Sequence, residues 1–145
     1  MNEEKILRQL GLLNNYLSRL NKLKNISIDE FKKDSISQAA TERLLQVAIE
    51  TTLNIGNHII ASRGYRSPKD YADVFKVLEE EKIIPPEFSS ELQQMAKFRN
   101  RLVHIYWDID IDMLYDILQN KLSDFEKFAQ VVLLEMEKSK AKEEQ

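Results

Sequence analysis

An all-α protein, folded as an up-and-down bundle of four to five helices, is what this 145-residue sequence predicts, on three observations. Apolar residues recur at spacings of three and four, the mark of one-sided helices, and no stretch alternates with the period of two that a half-buried strand needs. Only three Gly and three Pro punctuate the chain. Residues suited to capping helices stand at the points where the periodic stretches begin and end.

The elements follow in order. Ile6, Leu10, Leu13, Leu17 and Leu20 alternate spacings of four and three, which predicts a first helix over residues 3–24 with one apolar stripe. "SIDE", Ser27 to Glu30, has the capping-box pattern and starts a short second helix. From Ile36 to Arg63 the apolar residues cover most of the helical circumference, so this helix is surrounded by others. They leave a narrow polar strip of Glu50, Asn54 and Asn57, with His58 at its edge, as a secondary cleft. Gly64 suits the C-terminal cap, and "SPKD", Ser67 to Asp70, predicts a helix over 68–81 that turns Tyr71, Phe75 and Leu78 inward. Pro85 and Pro86 break the chain before a helix from about Glu87, and a last helix runs from Asp112 to Lys138, leaving residues 139–145 as a frayed tail. No internal repeat or linker divides residues 1–145, which read as one domain.

Composition bounds the function. A chain of this length buries about 70% of its unfolded surface, enough for one core. There is no cysteine, which removes disulfides, thiol nucleophiles and thiolate metal sites, and points to the cytoplasm. No apolar run is long enough for a membrane span and no signal-peptide layout is present, so no membrane role is expected. The net charge of −3 argues against binding nucleic acid by charge alone, yet leaves room for a local basic site. Lys97, Arg99 and Arg101 form one such cluster; Arg63, Arg66 and Lys69 form another, read as solvated charge.

"FRNRLVHIYWDID", residues 98–110, breaks the pattern by placing Arg99, Asn100, Arg101, His104, Tyr106 and Trp107 together. With Leu92 at the origin of a helical wheel, Met95, Ala96, Leu102, Val103 and Tyr106 share one face, and Arg99 lands in its middle. Arg101 points the other way, into water. A guanidinium among apolar neighbours costs several kcal/mol unless it has a partner, so Arg99 requires a carboxylate, a wet cleft or an unusual helix end. Asn100 and His104, four residues apart, stack on the flank of the same face.

Such a corner suits phosphate chemistry. Arginine matches the planar geometry of phosphate and keeps its charge, histidine takes and returns a proton near neutral pH, and asparagine orients. Tyr106 and Trp107 can stack an exposed base. Together they fit metal-independent cleavage of RNA, in which a 2′-hydroxyl attacks phosphorus and the leaving 5′-oxygen collects a proton. One histidine per chain serves one proton transfer; a two-fold dimer brings a second. No Glu-x-x-His pair or phosphate-cradling Gly loop appears, so neither a metal nor another cofactor is expected.

"RNRLVH", Arg99 to His104, followed by Tyr106, resembles the R-x4-H-x-Y signature of the HEPN superfamily, in its HepT-like branch. "AIETTLNIGNHIIASRG", "YADVFKVLEEEKIIP" and "MAKFRNRLVHIYWDID" resemble that family's successive blocks over about residues 40–112. The resemblance implies a HEPN-like helical bundle that dimerises with the two motifs facing across a cleft. It also implies an endoribonuclease toxin neutralised by a minimal nucleotidyltransferase antitoxin that attaches AMP to the motif tyrosine, here Tyr106. By position, the resemblance gives Arg99 and His104 the catalytic roles, Asn100 an orienting role, and Tyr106 a substrate contact besides the modification. Two other readings stay open from the residues: a non-catalytic nucleotide- or partner-binding dimer, and a structural dimer with Arg99 in a buried ion pair.

Overall fold

A computed structural model describes residues 1–104 and 109–144 and forms them into seven helices. The stripe of α1 (Glu3–Leu23) buries Ile6, Leu13, Leu17 and Leu20, and Asn2 caps it by accepting the Lys5 amide at 3.1 Å. Ser27 caps α2 (Ile28–Lys33) as expected, its hydroxyl accepting the Glu30 amide at 3.2 Å, and Phe31 anchors that short helix with no surface exposed.

The central helix α3 (Ser35–Arg63) begins on Asp34 and ends at Gly64, whose φ of 67° is the left-handed cap a glycine adopts without strain. Buried residues surround it: Leu45, Ala48, Ile49, Leu53, Ile55, Ile59 and Ile60 are all in the core. At Gly56 the next helix comes so close that a Cβ would stand 2.8 Å from a Val74 methyl, so only glycine fits there.

The cap of α4 (Tyr71–Glu80) is Asp70 and not Ser67, because the Asp70 carboxylate accepts the Asp73 amide at 2.8 Å. Residues 68–70 are thus outside the helix. Phe75 and Leu78 point inward as predicted, but Tyr71, the first helical residue, is 44% exposed. Pro86 opens α5 (Pro86–His104), where its missing N–H costs nothing.

The expected last helix is two, α6 (Ile111–Asn120) and α7 (Leu122–Glu143), meeting at Lys121. No tail frays at residue 139: α7 continues to Glu143, with Arg63 donating to the Ser139 hydroxyl at 2.9 Å and Lys140 pairing with Glu3 at 3.5 Å. The four long helices close a ring in which α1 packs on α3, α3 on α5, α5 on α7 and α7 on α1, while α2, α4 and α6 fill the sides. One apolar core runs through all seven. Among the described residues no helix is long and apolar enough to cross a membrane.

Candidate active site

The last two turns of α5 lie against the middle of α3, and Arg99 makes the junction. Its Nε and Nη2 both donate to Glu50 Oε2, at 3.1 and 2.7 Å. Nη1 donates to Asn100 Oδ1 at 3.3 Å, and the guanidinium carbon stands 4.8 Å from the centre of the Tyr71 ring. Stacking on an aromatic face suits a weakly hydrated planar cation. The partner that an arginine on an apolar face requires is therefore Glu50.

This pair is not sealed. Arg99 keeps 13% of its side chain exposed and Glu50 30%, so the carboxylate is the more exposed of the two. A guanidinium carries five N–H bonds. Three are directed at Glu50 and Asn100, which leaves donors for an incoming anion.

His104 ends α5 and is exposed. On an ideal helix it stands about 140° round from Arg99 and about 100° is taken up by Asn100, so the amide lies between the two. The Nη1 contact with Asn100 pulls the guanidinium toward the histidine flank. Tyr106 and Trp107 lie outside the described residues. Arg101 is exposed, as the wheel predicted, and faces a different cleft, of about 370 Å³, that Lys97, Phe98 and Met113 also line.

The polar strip of α3 divides. Glu50 belongs to Arg99, whereas Asn54, Asn57 and His58 line a cleft of about 410 Å³ with Lys5 and Gln9 of α1. His58 Nε2 accepts the Asn2 amide at 3.1 Å. Burial, and then the charge of Lys5, hold its imidazole below the ordinary 6.5.

Of the cluster at the end of α3, read as solvated charge, Lys69 is exposed while the two arginines are paired. Arg63 Nη1 pairs with Glu135 Oε2 at 2.6 Å, and Arg66 chelates Asp73 at 2.7 and 2.9 Å while also reaching Glu80. Arg66 holds the Asp73 carboxyl down at about 2. Both arginines are spent on structure. Tyr71 is the contributor that sequence reasoning missed; its position directly after the Asp70 cap, where a helix leaves the core, was the available signal. Among the described residues no group of three His, Asp or Glu side chains could hold a metal ion.

Comparison with known proteins bears on what this corner does. The ribonuclease HepT-like family model matches residues 13–132. A tRNA nuclease HepT of Aphanizomenon flos-aquae is 33% identical over 119 residues, 81% of this chain and 80% of that protein. An mRNA nuclease HepT of Shewanella oneidensis is 31% identical over 106 residues, 73% of this chain and 80% of that one. Among solved structures, a tri-AMPylated Shewanella oneidensis HEPN toxin in complex with MNT antitoxin superposes with a TM-score of 0.84 at 27% identity, covering 92% of this chain and 99% of that one. The helical bundle is thus that of HEPN toxins, and the chain belongs to the ribonuclease HepT-like family.

Proposed function

We propose that this HepT-like ribonuclease is a metal-independent endoribonuclease, the cytoplasmic toxin of a toxin–antitoxin pair, acting as a homodimer with its two Arg99–His104 corners facing one RNA strand. The observation that carries the reading is the open ion pair: a guanidinium held in place from one side by Glu50, Asn100 and Tyr71 while donors remain for a phosphate, with an exposed imidazole on the adjoining flank.

In this reading a phosphate of RNA displaces Glu50 from part of Arg99. His104 of one protomer accepts the 2′-hydroxyl proton as the oxygen attacks phosphorus. The P–O5′ bond breaks, and the imidazolium of the other protomer protonates the leaving 5′-oxygen. The products are a 2′,3′-cyclic phosphate and a 5′-hydroxyl. Arg99 neutralises the charge that grows on the phosphorane, and Asn100 keeps the guanidinium and imidazole in register. The Aphanizomenon tRNA nuclease and the Shewanella mRNA nuclease support RNA as substrate. The Shewanella toxin's complex with its MNT antitoxin supports a minimal nucleotidyltransferase as partner, with Tyr106 the residue that receives AMP and Trp107 a further substrate contact.

One observation favours a second reading. Glu50 competes for the same guanidinium as a phosphate would, which suits a non-catalytic nucleotide- or partner-binding dimer. The test is cleavage of single-stranded RNA by the purified chain in EDTA. Products ending in 2′,3′-cyclic phosphate, abolished when the scissile 2′-hydroxyl is replaced by hydrogen, are expected. RNA left intact in that assay sinks the nuclease reading. Incubation with the nucleotidyltransferase and ATP, followed by mass analysis, is expected to place AMP on Tyr106.

A further inference from the structure

The cleft between α1 and α3 has a composition that the bundle does not need. Asn54 and Asn57 are exposed in the interior of a long helix, where asparagine is a poor helix former, and neither amide bonds to any other described residue. They continue a line that starts at the candidate active site. Glu50, Asn54, Asn57 and Ala61 lie within about 60° of one another around α3, and Asn57 is about 10 Å along the axis from Glu50. His58 borders the same line and is anchored by the Asn2 amide, so its other ring nitrogen, Nδ1, carries the proton and can donate. Across the cleft α1 supplies Lys5 and Gln9.

We infer that the groove lined by Lys5, Gln9, Asn54, Asn57 and His58 is a second nucleotide subsite, holding a residue of single-stranded RNA that flanks the scissile bond. The inference rests on the nuclease reading for its substrate. Amide side chains present both a donor and an acceptor, which matches the edges of unpaired bases, and one lysine matches one phosphate. Ala61 gives the groove a small exposed apolar surface for a base or ribose. A cleft of about 410 Å³ accommodates one nucleotide. The amide-rich wall also fits a protein of net charge −3, in which general attraction to nucleic acid is absent and a strand must be gripped locally.

The test uses the full chain carrying His104→Ala, so that RNA stays whole, and a fluorescein-labelled single-stranded RNA octamer. Anisotropy titrations compare this protein with versions that add Asn57→Ala, Gln9→Ala or Lys5→Ala. Each amide loss is expected to weaken binding about fivefold, the worth of one hydrogen bond. Lys5→Ala is expected to reduce the slope of log K against log salt by about 0.7, as one released counterion from a single strand requires. Light scattering follows the oligomeric state in parallel. Octamer affinity unchanged in all three overturns the subsite, as does a variant-induced shift between monomer and dimer, which would make the groove a contact between copies. The two readings fail separately. A wild-type chain that binds through the groove without cutting defeats the nuclease proposal alone; one that cuts with no dependence on the groove defeats the subsite alone.

Discussion

Two arginine–carboxylate pairs hold α3 to its neighbours, and they are built in opposite senses. In the Arg63–Glu135 pair the carboxylate is the buried member, 8% exposed against 21% for the arginine, and the cation donates to Glu135 Oε2, the Glu135 carbonyl and the Ser139 hydroxyl. In the Arg99–Glu50 pair the arginine is buried and the carboxylate lies outermost. The first geometry ties the end of α3 to α7 around a buried carboxylate. The second places the cation behind the more exposed carboxylate, the one that RNA displaces in the proposed function. Burial order, more than the presence of an ion pair, separates a clamp from a site.

The largest expected effect breaks the comparison at its catalytic end. His104→Ala is expected to cost about 10² to 10⁴ in the rate of RNA cleavage, the range for a positioned general acid or base, with helicity unchanged because the side chain is exposed. Quenched single-turnover assays read this loss. A variant that keeps half its rate removes His104 from the mechanism.

Arginine substitutions separate the two pairs directly. Arg99→Ala is expected to lower cleavage by about 10² to 10³ through lost stabilisation of the phosphorane. Arg63→Ala is expected to leave the rate within about twofold and to cost about 2 kcal/mol of stability, since it leaves a buried Glu135 with only the exposed Lys138. Arg101→Ala, exposed on the opposite side of α5, is expected to do little to either. Urea titration and initial rates on the same preparations check all three. If Arg63→Ala and Arg99→Ala lose activity alike, burial order carries no functional meaning.

Glu50→Gln sharpens the point at smaller magnitude. Glutamine retains a hydrogen bond to Arg99 and removes the competing charge, so RNA is expected to bind about threefold more tightly, seen as a lower KM with kcat little changed. A rise in KM would show that Glu50 positions the cation and does not compete for it.

These contrasts also show what the residues disclosed before any coordinates. The helices announced themselves wherever a stripe and a cap agreed: α1 by its spacing, α2 by Ser27, the end of α3 by Gly64. The cost of a guanidinium on the face of Met95 and Leu102 points to a partner, but the wheel of α5 holds no information about which carboxylate lies opposite, and the wheel of α3 sets Glu50 in line with the amides of its own helix. The bend at Lys121 carried no breaker; no Pro or Gly stands there, and only the docking of Leu118 and Leu122 into the core reveals it. Tyr71 obeyed the i, i+4, i+7 rule with Phe75 and Leu78 yet stayed outside, because the first residue of a helix extends past the surface that its later turns cover.

The smallest effect concerns a carboxylate that has neither kind of arginine. Asp124, in the first turn of α7, is 7% exposed, and its Oδ2 is buried with no hydrogen-bond partner among the described residues. Burial, and then the charge of Glu91, raise its carboxyl above the ordinary 3.8, with Lys121 opposing. A carboxyl raised on folding contributes stability that is whole below pH 3.8 and lost as pH climbs through the raised value, so at neutral pH its charge weakens the fold. Asp124→Asn is therefore expected to raise Tm at pH 7 by about 2 to 4 °C, corresponding to about 1 kcal/mol, and to give no gain well below pH 3.8, where the carboxyl is protonated in folded and unfolded chain alike. Thermal melts at the two pH values decide it. An equal gain at both would assign the effect to packing and not to charge, and would leave Glu135, bound by Arg63, as no better placed than a carboxylate buried alone.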